Sequence, residues 1–301
     1  MVAGEVESPA PGQYLAPRAL PRPAGRPALS GPIPLRTVSE RAVGDPTAAA
    51  FFDVDNTIVR GASIFHIARG LYRRGFLTWR DIVKFAWQQA QFMAVGENTS
   101  TVADVQARAL AFIAGRSVAE MRAVGEEVFD ELLIDKLWPG TLALARMHED
   151  AGQRVWLVTA TPIEIAQVIA ERLNLTGALG TVPEHVDGVY TGKLVGAAMH
   201  GEAKAAAVRA LAEREGLALK RCVAYSDSAN DIPLLSLVGH PVAVNPDHAL
   251  RAHARANGWQ VQDYRTKRRA ARIGLPSAAA GVLAGVAVGA LAANRRHRTA
   301  G

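Results

Sequence analysis

Asp53 and Asp55 stand one residue apart in Phe51-Phe52-Asp53-Val54-Asp55-Asn56-Thr57, and chemistry can be read from them first. They close the apolar run that begins at Ala48, so residues 48–54 read as a buried parallel strand. Residues i and i+2 of a strand share a face, which sends both carboxylates out together at the strand's carboxyl end. Open α/β sheets bind their ligands at that end. Paired acids there can divide labour, one as nucleophile or metal ligand and the other as general acid and base. Solvated turn or cap residues look the same in isolation, and three later segments bear on the choice.

The apolar run Val155-Trp156-Leu157-Val158 ends in Thr159-Ala160-Thr161-Pro162. A hydroxyl at a strand end, just before a helix N-terminus, suits a phosphate oxygen; a simple cap is the alternative. Next comes His200-Gly201-Glu202-Ala203-Lys204. Lys204, near the start of an Ala-rich helix, is either a solvated lysine or a cation that neutralises a phosphoryl group and an attacking carboxylate. The third segment runs Val223-Ala224-Tyr225-Ser226-Asp227-Ser228-Ala229-Asn230-Asp231. It reads as a strand ending in one acid, with a second acid opening a helix. Carboxylates suit Mg²⁺, whose octahedral oxygen shell is completed by water and phosphate. Asp231 is alternatively an acid placed for the helix dipole.

In this order and spacing the four segments resemble the haloacid dehalogenase superfamily of phosphohydrolases, nearest to its phosphoserine-phosphatase-like subgroup with a helical cap. The likeness covers about residues 48–264. It implies that Asp53 attacks phosphorus to form an aspartyl-phosphate, while Asp55 protonates the leaving alcohol and then activates water. It implies further that Thr159, Lys204 and Asn230 meet the phosphoryl group. Mg²⁺ is then held by Asp53, Asp227 and the backbone carbonyl of Asp55, with Asp231 supporting that shell. Two positions depart from the subgroup. Asn56 replaces a serine, and Ala62 occupies the place of a glutamate that recognises the substrate amine, so specificity for phosphoserine is in doubt.

Short apolar strands alternating with helical segments must position these groups, and that alternation predicts an α/β fold with a doubly wound, Rossmann-like parallel sheet. Strands are expected at residues 48–54, 154–159, 222–226 and 242–244, and helices at 162–173, 202–215 and 232–238. Asp187-Gly188 within 181–194 marks a β-hairpin. Residues 62–134, rich in aromatics, read as an inserted all-helical cap. Its Phe65, Tyr72, Phe76, Trp79, Phe85, Trp87 and Phe92 form either an apolar groove or the cap's own core, with Arg69, Arg73 and Arg74 near the entrance.

Residues 1–46 hold nine of the sixteen prolines and read as a disordered arm. Residues 273–293 carry no charge and as a helix would span about 31 Å, the thickness of a bilayer core. Basic residues flank that stretch, predicting a single-pass transmembrane helix with the catalytic domain on the cytoplasmic face. A soluble cytoplasmic protein with an Ala/Gly-rich tail is the alternative. Gly281, Gly285 and Gly289 form a ladder that suggests a homodimer within the membrane.

The net charge of +6 arises in that tail: eight basic residues and no acids follow Asp263, leaving the rest at −2. No nucleic-acid partner is therefore expected. One cysteine, Cys222, excludes a disulfide framework and is expected in a buried strand. The eight histidines show no metal-ligand spacing. The resemblance of the four motif segments implies a Mg²⁺-dependent phosphomonoesterase, and the uncharged tail adds the expectation of a phosphorylated small molecule or a membrane-proximal lipid phosphate as substrate. Phosphoserine phosphatase, phosphotransferase and non-catalytic membrane adaptor are the alternatives.

Overall fold

The computed structural model of the protein describes residues 44–80 and 113–265. Six strands form one sheet in the order β3-β2-β1-β6-β7-β8: β1 (Ala49–Phe52), β2 (Arg154–Pro162), β3 (Gly177–Thr181), β6 (Val223–Ser226), β7 (His240–Val244) and β8 (Gln260–Gln262). The pairs β1–β2, β1–β6, β2–β3 and β6–β7 are parallel. The first strand is central, and chain order reverses on either side of it, which makes its carboxyl end the switch point where such sheets bind ligands.

All four residues of β1 are buried. This is why an unbroken Ala-Ala-Phe-Phe run suits it, since helices cover both faces. Phe51 joins Trp156, Leu211, Ala224 and Leu234 in one core cluster. On the other face Phe52 stacks on Tyr225 with centroids 4.2 Å apart. Burying each phenylalanine contributes about 2–3 kcal/mol. His148, in the last turn of α3 (Pro139–Asp150), completes that face: its Nε2 lies 2.7 Å from Tyr225 Oη and its Nδ1 2.5 Å from Gln153 Oε1.

The remaining core helices are α4 (Ile163–Arg172), α5 (Glu202–Glu215), α6 (Ile232–Leu237) and α7 (His248–Ala256). Gly239 links α6 to β7 where any Cβ would stand 1.8 Å from the Lys220 carbonyl oxygen, so only glycine fits. Strands β4 (Pro183–Val186) and β5 (Val189–Leu194) form the antiparallel hairpin. Its turn places Asp187 and Gly188 at φ +49° and +74°, the left-handed conformations that an Asp-Gly hairpin turn requires.

Of the expected helical cap, the described part comprises α1 (Ser63–Arg73), α2 (Val118–Val128), a π-helical turn at Phe129–Leu133 and a 3₁₀ turn at Ile134–Lys136. A capping box starts α2: Ser117 Oγ accepts from the Glu120 N–H, and Glu120 returns a carboxylate to the Ser117 N–H. Gly125 brings α2 close against Ile165 of α4, the pair Arg122–Glu171 ties the two helices together, and Arg172 of α4 pairs with Asp130 of the π-helical turn. Of the described aromatics in the expected groove or core set, none belongs to the subdomain's buried core. Phe65, Tyr72 and Trp79 are exposed, and Phe76 lies under the Arg116 guanidinium. In its described part the buried residues include Ile67, Met121, Val124, Phe129 and Leu133 instead. Arg73 pairs with Glu131 and Arg74 with Glu127.

The expected strands are found to within two residues at each end, except that β2 runs on through Pro162. Cys222 is fully buried immediately before β6, as expected. β3 and β8 were not anticipated: Gly-Ala-Leu-Gly-Thr and Gln-Val-Gln lack the β-branched, apolar character of an independent strand signal. The first compact unit ends at Val261; of the following unit only Gln262–Arg265 are described, where Asp263 accepts the Arg265 N–H. Among the described residues no helix is long and apolar enough to cross a membrane. The expected span at 273–293, its Gly281, Gly285 and Gly289, the arm up to residue 43, and Phe85, Trp87 and Phe92 lie outside the described residues.

Candidate active site

Strand register brings the separated motifs together. Phe52 pairs with Leu157 on one side and Tyr225 on the other, so Asp53 and Asp227 follow the carboxyl ends of β1 and β6, and Thr159 lies in β2 two residues past its last pairing with β1. The Asp53 N–H extends the ladder by donating to the Tyr225 carbonyl at 2.9 Å. Beyond it the chain turns sharply. Ile58 and Val59 both donate to the Val54 carbonyl, and Asn56 adopts φ +52° while its Oδ1 accepts the Gly61 N–H at 3.0 Å. Asparagine tolerates that left-handed conformation, which gives position 56 a structural role that the sequence did not reveal.

Lys204 reaches this point from the first turn of α5, which opens after Gly201 at φ +53°. Its Nζ donates to Asp53 Oδ1 at 2.6 Å and to Asp231 Oδ2 at 2.8 Å, with all three side chains buried. Ser226 Oγ donates to the same Asp231 oxygen at 2.7 Å. Asp55 is half-buried, and its Oδ1 accepts the Ser63 N–H at 2.8 Å. Thr159 is buried, with its hydroxyl donating to Thr161 Oγ1 at 3.1 Å. Asn230 is the exposed member; its carbonyl borders Gly201 and its N–H donates to Ser228 Oγ.

Four acids thus gather around one buried lysine. Burial pushes the Asp53 carboxyl up to about 8, against the pull of Lys204, and Asp231, Asp55 and Asp227 push the same way. Burial opposes the Lys204 charge, but Asp53 and Asp231 outweigh it and hold the ammonium above its usual range. The Asp227 carboxyl rises to about 7, first through burial and then through Asp231, with the Asn56 side chain opposing. With both ionised, the Asp53–Asp227 side therefore carries negative charge that Lys204 only partly offsets.

That surplus suits a hard divalent ion. Among the described residues no three His, Cys, Asp or Glu side chains are grouped to hold a metal alone. Mg²⁺ needs no such cage, since it commonly takes one or two carboxylates and completes its shell with water and phosphate. The Asp53 and Asp227 carboxylates fit that requirement in kind and number.

Several supporting residues escaped sequence reasoning. Asp247 caps α7 through the Leu250 N–H and also holds the Asp227 loop: its N–H donates to the Asp227 carbonyl and its Oδ2 accepts the Ala229 N–H. Buried Asn245 donates to the Asn56 carbonyl at 3.1 Å. An Asn-Pro-Asp run after a strand is a helix-start signal and could have flagged Asp247. Ser226, beside Asp227 at its strand end, was equally readable. Nothing local marks Ser63, whose partner Thr161 lies 98 positions away.

A family model described as haloacid dehalogenase-like hydrolase matches residues 50–236. The protein named phosphoserine phosphatase SerB1 of Mycobacterium tuberculosis (strain ATCC 25618 / H37Rv) is 60% identical over 255 residues, covering 84% of this chain and 83% of that one. A histidinol-phosphatase of Neisseria meningitidis serogroup C (strain 8013) is 30% identical over 221 residues, 72% of this chain and 98% of its own. Among solved structures, a protein of unknown function from Bordetella pertussis Tohama I shares 32% identity with a TM-score of 0.65, over 72% of this chain and 98% of its own.

Proposed function

This chain belongs to the haloacid dehalogenase-like hydrolases and is a phosphatase of that family; on that premise we propose that it hydrolyses a phosphomonoester through an aspartyl-phosphate on Asp53. The observation that carries the reading is Lys204, buried between Asp53 and Asp231 at the carboxyl end of the central strand. An anionic nucleophile can approach an anionic phosphate only where fixed positive charge offsets the repulsion.

A carboxylate oxygen of Asp53 forms the bond to phosphorus as the bond to the ester oxygen breaks. Asp55, held by the Ser63 N–H, gives its proton to the departing alkoxide. Water then attacks the aspartyl-phosphate and yields its proton to Asp55, releasing inorganic phosphate and restoring Asp53. Thr159 and Lys204 hold phosphoryl oxygens, with Asn230 at the rim and Asp231 keeping Lys204 in place. Mg²⁺ bound by Asp53, Asp227 and the Asp55 carbonyl would supply the remaining charge neutralisation.

Phosphoserine stands first among substrates to test, because SerB1 carries that name at 60% identity. Ala62 offers no carboxylate to an amine, which keeps other monoesters in contention, including a membrane-proximal lipid phosphate. Product analysis with an added alcohol separates hydrolysis from phosphotransfer, and a phosphatase leaves no place for the adaptor reading. The decisive assay is p-nitrophenyl phosphate hydrolysis with Mg²⁺ and with EDTA. Wild type should turn over only with the metal, and Asp53→Asn should lose at least about a thousandfold. Equal rates from Asp53→Asn and wild type would refute the mechanism. The same assay across phosphoserine, histidinol phosphate and lysophosphatidate ranks the alcohols.

A further inference from the structure

Three buried hydroxyls connect the Asp55 loop to the end of β2, and the reaction above uses only one of them. Ser63, the first residue of α1, donates its N–H to Asp55 Oδ1 at 2.8 Å. Its Oγ lies 3.0 Å from Thr161 Oγ1. Thr161 Oγ1 accepts the Thr159 hydroxyl at 3.1 Å, and the Thr161 N–H donates back to Thr159 Oγ1 at 3.2 Å. Ser63 and Thr159 are each 1% exposed and Thr161 6%, so these protons find partners within the protein rather than in bulk water.

As the chain stands, the Thr159 proton is committed to Thr161. A phosphoryl oxygen can take that proton only if the Thr159 hydroxyl rotates, which strips Thr161 Oγ1 of its donor. Leaving a buried oxygen without a donor opposes the rotation. The Ser63 hydroxyl, within reach of the same oxygen, can turn to replace the lost donor.

We propose that Ser63 is a positioning residue which orients Asp55 through its amide and, through Thr161, frees the Thr159 hydroxyl to bind a phosphoryl oxygen. The proposal rests on the reading of Thr159 as a phosphoryl contact. It places the first residue of α1 under both the acid that serves the leaving group and the hydroxyl that serves phosphate.

The test uses the full chain and inorganic phosphate as the probe, with affinity measured by calorimetry and KM and kcat on p-nitrophenyl phosphate. Ser63→Ala retains the amide but lacks the donor. It should weaken phosphate and raise KM about fivefold or more, with a smaller effect on kcat. Adding Thr161→Ala should restore most of that affinity, because the oxygen that holds the Thr159 proton is gone. A purely structural loss would instead accumulate in the double variant. Ser63→Thr, which keeps the hydroxyl, should bind phosphate as wild type does. Melting curves establish that each variant is folded. Wild-type turnover with Ser63→Ala affinity within twofold of wild type, or with further loss in the double variant, would overturn this proposal alone. Wild type that neither binds phosphate nor turns over would overturn the reading of the site, and this proposal with it.

Discussion

Lys204 is the group on which the acid cluster depends, both for charge and for stability. Two buried carboxylates face its ammonium, and removing one partner of a buried pair leaves uncompensated charge. Lys204→Met should therefore abolish phosphatase activity and cost about 3–5 kcal/mol above about pH 8, where the Asp53 carboxyl is ionised. The loss should shrink as pH falls below about 8, where the stranded Asp53 carboxyl takes up a proton. Urea titrations on either side of that value check this, and an unchanged midpoint on the alkaline side would contradict it. The acids themselves were legible as strand ends: an apolar run followed by Asp53, and another by Asp227. Lys204 was visible only as a lysine near a helix start, since nothing local distinguishes it from a solvated one. Ser63 was invisible, because its meaning comes from Thr161.

The helices and strands that carry these groups hold them through buried polar contacts as well as apolar ones. His148 anchors α3 to the sheet, hydrogen-bonded to Gln153 and Tyr225 and set edge-on to Phe52. Burial lowers its pKa, with Gln153 opposing. The folded value thus lies below the unfolded one of about 6.5, so the associated stability is present above that pH and lost as pH falls. Melting temperatures between pH 8 and pH 5 should drop more steeply for wild type than for His148→Gln; parallel slopes would exclude the effect. Strong, periodic elements such as α5 were readable to the residue, with Glu202–Glu215 found as expected. β3 was not, because its glycines admit Trp156 at Gly177 and the start of α4 at Gly180, and that need for space is set by neighbours remote in sequence.

For the chain as a whole, the uncharged stretch 273–293 between basic flanks remains a proposal about membrane placement. Full-length protein should sediment with carbonate-washed membranes, and a chain ending at Arg265 should stay in the supernatant. Equal behaviour of the two would refute the span. Over the catalytic unit, the sequence by itself determined the fold class, the motif order and the acids at strand ends. Those depend on local hydrophobic period and on residue type, which a single segment carries. Tertiary structure alone decided that Lys204 pairs with both Asp53 and Asp231, that Asn245 and Asp247 brace the loops, and that Ser63 meets Thr161. Such contacts join residues 18 to 189 positions apart, and only the register of adjacent parallel strands and the docking of helices on them sets those distances.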